Sequence, residues 1–122
     1  MITSVHTLIY ADNPDAARTF FRDVLDLAVV DDGGGWLIFK LPPSELGVHP
    51  TDSGGPPTGT MKLSLMCDDI ERTVKELRAK GAAVSEEISD RGYGLVTSVT
   101  VPGGVELDLY QPTHATAFDL EI

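Results

Sequence analysis

The chain has 122 residues, which is enough for one compact domain and too few for two domains with independent cores. Apolar residues make up 42% and charged residues 23%, and no segment approaches the ~18 consecutive apolar residues that a membrane helix needs. The formal net charge of −10 would repel phosphate backbones and anionic lipid surfaces, so neither nucleic-acid binding nor membrane binding is expected. Small molecules and other proteins remain as partners.

The N-terminus lacks the basic patch, apolar core and small-residue cleavage site of a secretory signal, so we expect a cytoplasmic protein. Cys67 is the only cysteine, which rules out a disulfide within the chain and a thiolate zinc cluster. The stability of the fold must therefore come from its packed core.

The first half begins with "SVHTLIY", residues Ser4 to Tyr10, whose alternation of apolar and polar residues predicts a strand that carries His6. Asn13 is a good N-cap and Pro14 suits the first helical position, so a helix is predicted from Pro14 to Leu25. Three short extended stretches follow, at Ala28 to Asp31, Trp36 to Leu41 and Glu45 to His49.

The second half repeats the first at an offset of 56 positions, which lays "HTLIYADNPDAARTFFRDVL" over "KLSLMCDDIERTVKELRAKG". Asp68 or Asp69 would cap its helix, and Gly81 stands where a left-handed C-terminal cap is expected. The predicted strands after this helix are Ala83 to Ile88, Leu95 to Val101 and Val105 to Tyr110.

Each half therefore has a βαβββ pattern, and the fold class is α+β, with two tandem modules forming a cup-shaped mixed sheet. The stretch "PTDSGGPPTGT" between them has no large apolar residue and is typical of a linker. We predict one domain over residues 1–122, consisting of module one (1–50), a linker (51–60), module two (61–112) and a tail (113–122). Neither module is large enough to fold alone, so the two must pack together.

Alternation within the strands assigns side chains to the two faces of the sheet. Apolar residues predicted to lie under the helices are Met61, Leu63, Leu65 and Cys67 in the first strand of module two, and Leu46, Val48, Val105, Leu107 and Leu109 in the last strands. The opposite face receives His6, Glu45, His49, Lys62, Glu106, Asp108 and Tyr110. Titratable groups on the face of a sheet opposite its helices are typical of a surface that encloses a ligand, so we predict a ligand-binding site there.

The duplicated pattern and three segments, "HTLIYADNPDAARTFFRDVLDL", "LMCDDIERTVKELRAKGAAV" and "VPGGVELDLYQP", resemble the vicinal oxygen chelate superfamily over about Ile2 to Pro112. That superfamily includes glyoxalase I, extradiol dioxygenases, and bleomycin- and fosfomycin-resistance proteins. The resemblance implies the fold, whereas the reaction varies among members of the superfamily.

In metal-dependent members the ligands come from the first and last strands of each module. The resemblance places His6 and Asp108 at two of these positions, where they would hold a divalent metal (Zn, Ni, Mn or Fe) and handle protons. Lys62 and Gly47 occupy the other two positions, and a protonated ammonium cannot ligate a metal, so the cofactor is left open.

Further residues are predicted to bind substrate at the cup: Trp36, His49, Lys62, Tyr93, Glu106 and Tyr110. Lys62 forms an ion pair with Asp108 or Glu106, binds an anionic group of a substrate, or is an exposed surface lysine. Trp36 and Tyr93 follow glycine-rich turns, where an aromatic ring either walls a cavity or anchors the turn. His114 lies in the tail and is expected to be solvated.

The leading hypothesis is a small-molecule-binding protein of this superfamily, which as an enzyme would be a metal-dependent lyase, isomerase or dioxygenase acting on a substrate with two adjacent oxygens. The alternative is a metal-free drug or metabolite binder of the bleomycin-resistance type, for which the acidic charge favours cationic ligands. A third reading is an interaction protein with a decayed site. Because such proteins often dimerise, a homodimer is expected, with an interface that the apolar tail residues Phe118, Leu120 and Ile122 help to cover.

Overall fold

The computed structural model describes residues 6–31, 34–47, 55–118 and 120. Two helices and seven strands lie in this part of the chain: α1 (Pro14–Asp23), β1 (Val29–Asp31), β2 (Leu37–Phe39), β3 (Ser64–Met66), α2 (Ile70–Ala79), β4 (Ala83–Val84), β5 (Ser89–Asp90), β6 (Gly94–Val101) and β7 (Val105–Pro112). The predicted α+β fold class is confirmed. The division into modules, linker and tail stays a prediction.

Both helices begin where the sequence predicts, whereas α1 ends at Asp23, two residues before the predicted Leu25. The Asn13 side chain accepts a hydrogen bond from the Ala16 amide at 3.1 Å, and Asp69 accepts one from the Arg72 amide at 3.1 Å. Gly81 adopts φ +86 immediately after the second helix, as a left-handed cap requires. Val24 and Lys80, which follow the last residues of α1 and α2, lie 56 positions apart, the offset found in the sequence.

The strands of module two form a five-stranded sheet in the order β3, β7, β6, β4, with β5 also paired to β6. β3 runs parallel to β7, and the long β6–β7 hairpin is antiparallel over eight residue pairs. Of the predicted strand Ala83 to Ile88, only Ala83–Val84 form a strand, and β5 lies just beyond its predicted end. Between β4 and β5 the single hydroxyl proton of Thr97 is shared between the carbonyl oxygens of Ser85 and Glu87, at 3.2 and 2.9 Å.

Module one is less regular than predicted. β1 and β2 form a two-stranded ladder, but residues 6–10 and 45–47 form no strand in the described part of the chain, while 1–5 and 48–50 lie outside it. The counterpart of β7 in this module is bracketed by Pro42-Pro43 and Pro50. Because proline donates no ladder hydrogen bond, this segment is a poor partner for the first strand.

One hydrophobic core lies between the helices and the five-stranded sheet. Its buried members come from both helices and from β6 and β7: Ala17, Phe20, Ile70, Val74, Leu77, Val99, Val101, Leu107 and Leu109. α1 of module one therefore shares its core with module two, as the small size of each module requires.

Two further contacts join the modules. The carbonyl oxygen of Gly103 in the β6–β7 turn accepts hydrogen bonds from the amides of Asp12 and Asn13, at 2.7 and 3.2 Å. The Lys80 ammonium, just past α2, donates to the Val24 carbonyl at 3.1 Å and pairs with Asp26 at 2.7 Å. The ends of both helices are thus fixed across the boundary between the modules.

The predicted faces are mostly confirmed. Leu107 and Leu109 are buried under the helices, and Ile9, Ala11, Leu63, Leu65, Cys67 and Val105 pack against the same core. Two assignments were wrong: Met61 and Leu46 are 90% and 86% exposed. Met61 precedes β3, where no pairing fixes its orientation, and residues 45–47 form no strand, so period-two alternation does not apply to either.

Candidate functional site

The face of the sheet turned away from the helices is polar at its centre. Strand register places Ser64, Asp108 and Ser98 side by side across β3, β7 and β6, and Thr100 opposite Glu106. A cavity of about 300 Å³ opens here, lined by Ser85, Glu87, Ser89, Arg91, Val96, Thr97, Ser98, Glu106 and Asp108. We name this cavity the sheet pocket. Its serine hydroxyls, carboxylates and one guanidinium suit a polar or charged small molecule.

Lys62 and Asp108 form an ion pair beside the sheet pocket, with the ammonium nitrogen 2.6 Å from Oδ2 of the carboxylate. Asp108 is 20% exposed and Lys62 is 65% exposed, so the carboxylate is held by the sheet while the lysine reaches it from solvent. Of the alternatives that the sequence left for Lys62, the structure shows the pairing with Asp108. Because the lysine is largely hydrated, the pair adds little to stability.

The same ion pair makes Asp108 a poor ligand for a metal ion. A metal ligated by Asp108 would have to displace an ammonium that already neutralises the carboxylate and has no lone pair to offer. Among the residues that the structure describes, no three His, Cys, Asp or Glu side chains converge in a way that could hold a metal ion. The described residues therefore do not fit a divalent metal centre, and we derive no chemistry through one.

A second cluster surrounds Glu45, whose side chain is only 16% exposed. One carboxylate oxygen lies 3.5 Å from the Tyr110 hydroxyl, which donates to it, and 3.7 Å from Nε2 of His114. The other oxygen accepts the Ala117 amide at 2.8 Å. Burial raises the pKa of Tyr110, and the neighbouring Glu45 carboxylate raises it further, so this phenol stays protonated at neutral pH.

Aromatic side chains extend this cluster toward the sheet pocket. The Tyr93 ring meets Tyr110 edge to face at 5.8 Å between centroids, and the His114 ring lies 6.2 Å from Tyr110. Tyr110 stands opposite Val96, which lines the sheet pocket, in the β6–β7 ladder. Two predicted substrate-binding residues, Tyr93 and Tyr110, thus lie together at one end of the polar face.

The predicted site residues are only partly brought together. Lys62, Glu106 and Asp108 lie at the sheet pocket, with the two tyrosines beside it. His6 is exposed and makes no hydrogen bond or ion pair with another described residue. Trp36 is 69% exposed and lies against Arg18 of α1, with the guanidinium carbon 5.1 Å from its ring centroid. His49 lies outside the described residues.

Sequence reasoning missed three groups at these sites. Ser98 could have been found, because the register of a hairpin turning at Pro102-Gly103-Gly104 places it opposite Asp108. Arg91 is held near the sheet pocket by the β5–β6 connection, where its Nε lies 3.4 Å from the Ser89 hydroxyl. His114 was expected to be solvated, and no local signal indicated that the tail folds back onto Glu45.

Two helices on one side of a mixed sheet, with a polar cavity on the other, define an α+β fold with an open concave face. The family model described as Glyoxalase/Bleomycin resistance protein/Dioxygenase superfamily matches residues 3–109. The chain belongs to this superfamily, which confirms the resemblance noted in the sequence. A comparison with curated proteins found no match.

Several solved structures share the fold. TnmS3, an antibiotic binding protein from Streptomyces sp. CB03234, is 21% identical with a TM-score of 0.64, covering 93% of this chain and 99% of its own. Lactoylglutathione lyase from Agrobacterium tumefaciens is 20% identical with a TM-score of 0.62, covering 89% and 92%. A superfamily member from Sphaerobacter thermophilus DSM 20745 is 21% identical with a TM-score of 0.62, covering 90% and 98%. At these identities the similarity concerns the fold. In the described part of the chain, no helix is both long and apolar enough to cross a membrane.

Proposed function

We propose that this protein is a metal-free binder of a small cationic molecule, held at the sheet pocket. The observation that carries the proposal is the Lys62–Asp108 ion pair at 2.6 Å, which puts an ammonium where a metal-dependent relative would need a ligand. The antibiotic-binding role of TnmS3, which has the same fold, supports a role without chemistry.

The preference for a cation rests on charge. Three carboxylates, those of Glu87, Glu106 and Asp108, line the sheet pocket, against one lining guanidinium from Arg91 and the Lys62 ammonium paired to Asp108. The net charge of −10 adds a long-range field that attracts cations and repels anions. Serine hydroxyls at Ser85, Ser89 and Ser98 offer hydrogen bonds to a ligand rich in hydroxyl or amide groups.

Spermidine, a small organic cation, is a suitable probe for a cavity of about 300 Å³ and is titrated by calorimetry in the presence of EDTA. We expect binding that Glu106→Gln weakens about tenfold to a hundredfold, because a hydrogen bond to a charged group contributes about 1.5–3 kcal/mol. Glu71→Gln, on the surface of α2, is the matched control and should bind as the parent protein does. Binding that appears only when Zn²⁺ or Ni²⁺ replaces EDTA would show that the protein needs a metal.

We further propose a homodimer in which a second copy covers module one. Leu8, Tyr10 and Leu46 are 68%, 89% and 86% exposed, and residues 6–10 offer backbone groups that no described strand pairs. Leu120 of the tail is 73% exposed and could extend this surface. Exposed apolar side chains beside unpaired backbone are typical of an uncovered interface.

Light scattering after size exclusion at micromolar concentration should give twice the chain mass. Tyr10→Asp should shift the protein toward the monomer, because it places a charge in the apolar surface, whereas Glu71→Lys on α2 should not. A parent protein with the mass of one chain would overturn the proposed dimer.

A further inference from the structure

The tail residues 113–118, which we call the strap, make hydrogen bonds of different character near their two ends. At the near end, the Thr113 amide donates a hydrogen bond to the Tyr93 carbonyl oxygen at 2.9 Å. The Thr113 hydroxyl donates a second one to the Gly92 carbonyl oxygen, also at 2.9 Å. At the far end, the Ala117 amide donates to the Glu45 carboxylate at 2.8 Å. The near anchor lies in module two, whereas the far anchor comes from module one.

A groove of about 610 Å³ lies under the strap, separate from the sheet pocket. The ends of β3 and β7 provide one wall and the strap the other, with Met66, Cys67, Asp68, Gln111, Pro112, His114, Ala115, Thr116 and Phe118 as its lining. No residue is shared with the lining of the sheet pocket. This volume lies within the range of sites that bind drug-sized molecules.

The lining indicates the chemistry of an occupant. Met66, Pro112 and Phe118 provide apolar and aromatic contact area. The Gln111 amide oxygen is already engaged by the Ile70 amide at 3.0 Å, so its remaining hydrogen-bonding group is the NH₂. Asp68 is exposed, and within the described residues its carboxylate has no hydrogen-bond or ion-pair partner.

We propose that this groove is a second ligand site, for a compact aromatic molecule carrying an N–H or O–H donor, and that the strap is its gate, latched by Glu45. The aromatic body of the ligand packs between Met66 and Phe118, and its donor binds the Asp68 carboxylate. When the Glu45 contacts are broken, the strap swings about Thr113 and the groove opens. The site is independent of the cationic ligand proposed for the sheet pocket.

The Cys67 thiol reports the state of the gate, because it lines the groove and is partly buried. It donates to the Tyr110 carbonyl at 3.7 Å, and burial raises its pKa, so its reaction with N-ethylmaleimide should be slow while the strap is closed. As the only cysteine, it gives a rate that belongs to one site.

The test compares N-ethylmaleimide labelling of the parent protein with that of Glu45→Ala. We expect Glu45→Ala to react about tenfold faster, since losing a hydrogen bond to a charged acceptor raises the open population by that order. Ala117→Pro removes the amide that donates to Glu45 and leaves the carboxylate in place, and it should speed labelling similarly. Glu86→Ala, an acid-to-alanine change between β4 and β5, is the control and should label at the parent rate.

Occupancy is tested with N-phenyl-1-naphthylamine, an uncharged fluorescent aromatic amine. The parent protein should bind it with a rise in fluorescence, and the bound probe should slow Cys67 labelling; Asp68→Asn should weaken both effects. Asp108→Asn should leave both unchanged, although it alters the sheet pocket. Equal labelling of the parent, Glu45→Ala and Ala117→Pro would overturn the gate, and a probe that binds without protecting Cys67 would overturn the site. Neither result depends on whether spermidine binds at the sheet pocket.

Discussion

Gly103→Ala is expected to lower the free energy of unfolding by about 3 kcal/mol, because it combines backbone strain with a collision. Gly103 has φ +107, a conformation that residues with a Cβ rarely adopt. A Cβ built there would lie 2.4 Å from the Asn13 carbonyl oxygen, where the β6–β7 turn receives the amides of Asp12 and Asn13. The alanine must therefore push the turn away from the start of α1.

Gly81→Ala is the matched control for this experiment. Gly81 also has a positive φ, +86, but a Cβ there would meet nothing within 4 Å. It should lose only about 1 kcal/mol, the usual cost of placing alanine in the left-handed region. The free energy of unfolding of each variant is measured in urea. Both variants contain the backbone strain, so the difference between their losses gives the effect of the collision. Equal losses would mean that the turn and the start of α1 are not in close contact in solution.

The elements that the sequence predicted well are those fixed by neighbouring residues. Asn13 and Asp69 cap their helices through amides three residues away, and Gly81 ends α2 by its own conformation. The β6–β7 hairpin is also local, because its two strands are joined by a short glycine turn. Such features depend little on the rest of the fold.

The first strand of module one was predicted on alternation alone. Alternation specifies which side chains share a face, and Ile9 and Ala11 do pack on the core. A strand also needs a neighbouring segment whose backbone N–H and C=O groups are free to pair with it. Residues 45–47, the described part of the predicted partner, form no strand. Pairing of this kind is a tertiary property that a single segment does not reveal.

Some residues of the candidate site were also predictable from local sequence, and others were not. Lys62, Glu106 and Asp108 were placed by strand alternation, and the repeat offset aligned Lys62 with His6, which suggested the ion pair that the structure shows. The cluster at Glu45 was not predictable, because it joins residues 45, 110, 114 and 117 from segments that are irregular or far apart in the chain. Only the folded chain brings that carboxylate to the tail.

Phe20→Ala is expected to lower the free energy of unfolding by about 3–5 kcal/mol, the usual cost of removing a buried aromatic ring. Phe20 is 4% exposed and lies in the cluster that joins α1 to α2, β6 and β7. Because module one has too little core of its own, weakening this contact should weaken both modules together. Trp36, the single tryptophan, reports module one by fluorescence, and far-UV circular dichroism reports the whole chain. In guanidinium, the two probes should shift to one lower midpoint, whereas Met61→Ala, at a 90% exposed side chain outside the proposed dimer surface, should change it little. If only the midpoint of the Trp36 fluorescence transition shifted, module one would unfold independently of the rest of the chain. The shared core would then not explain why the two modules occur in one chain.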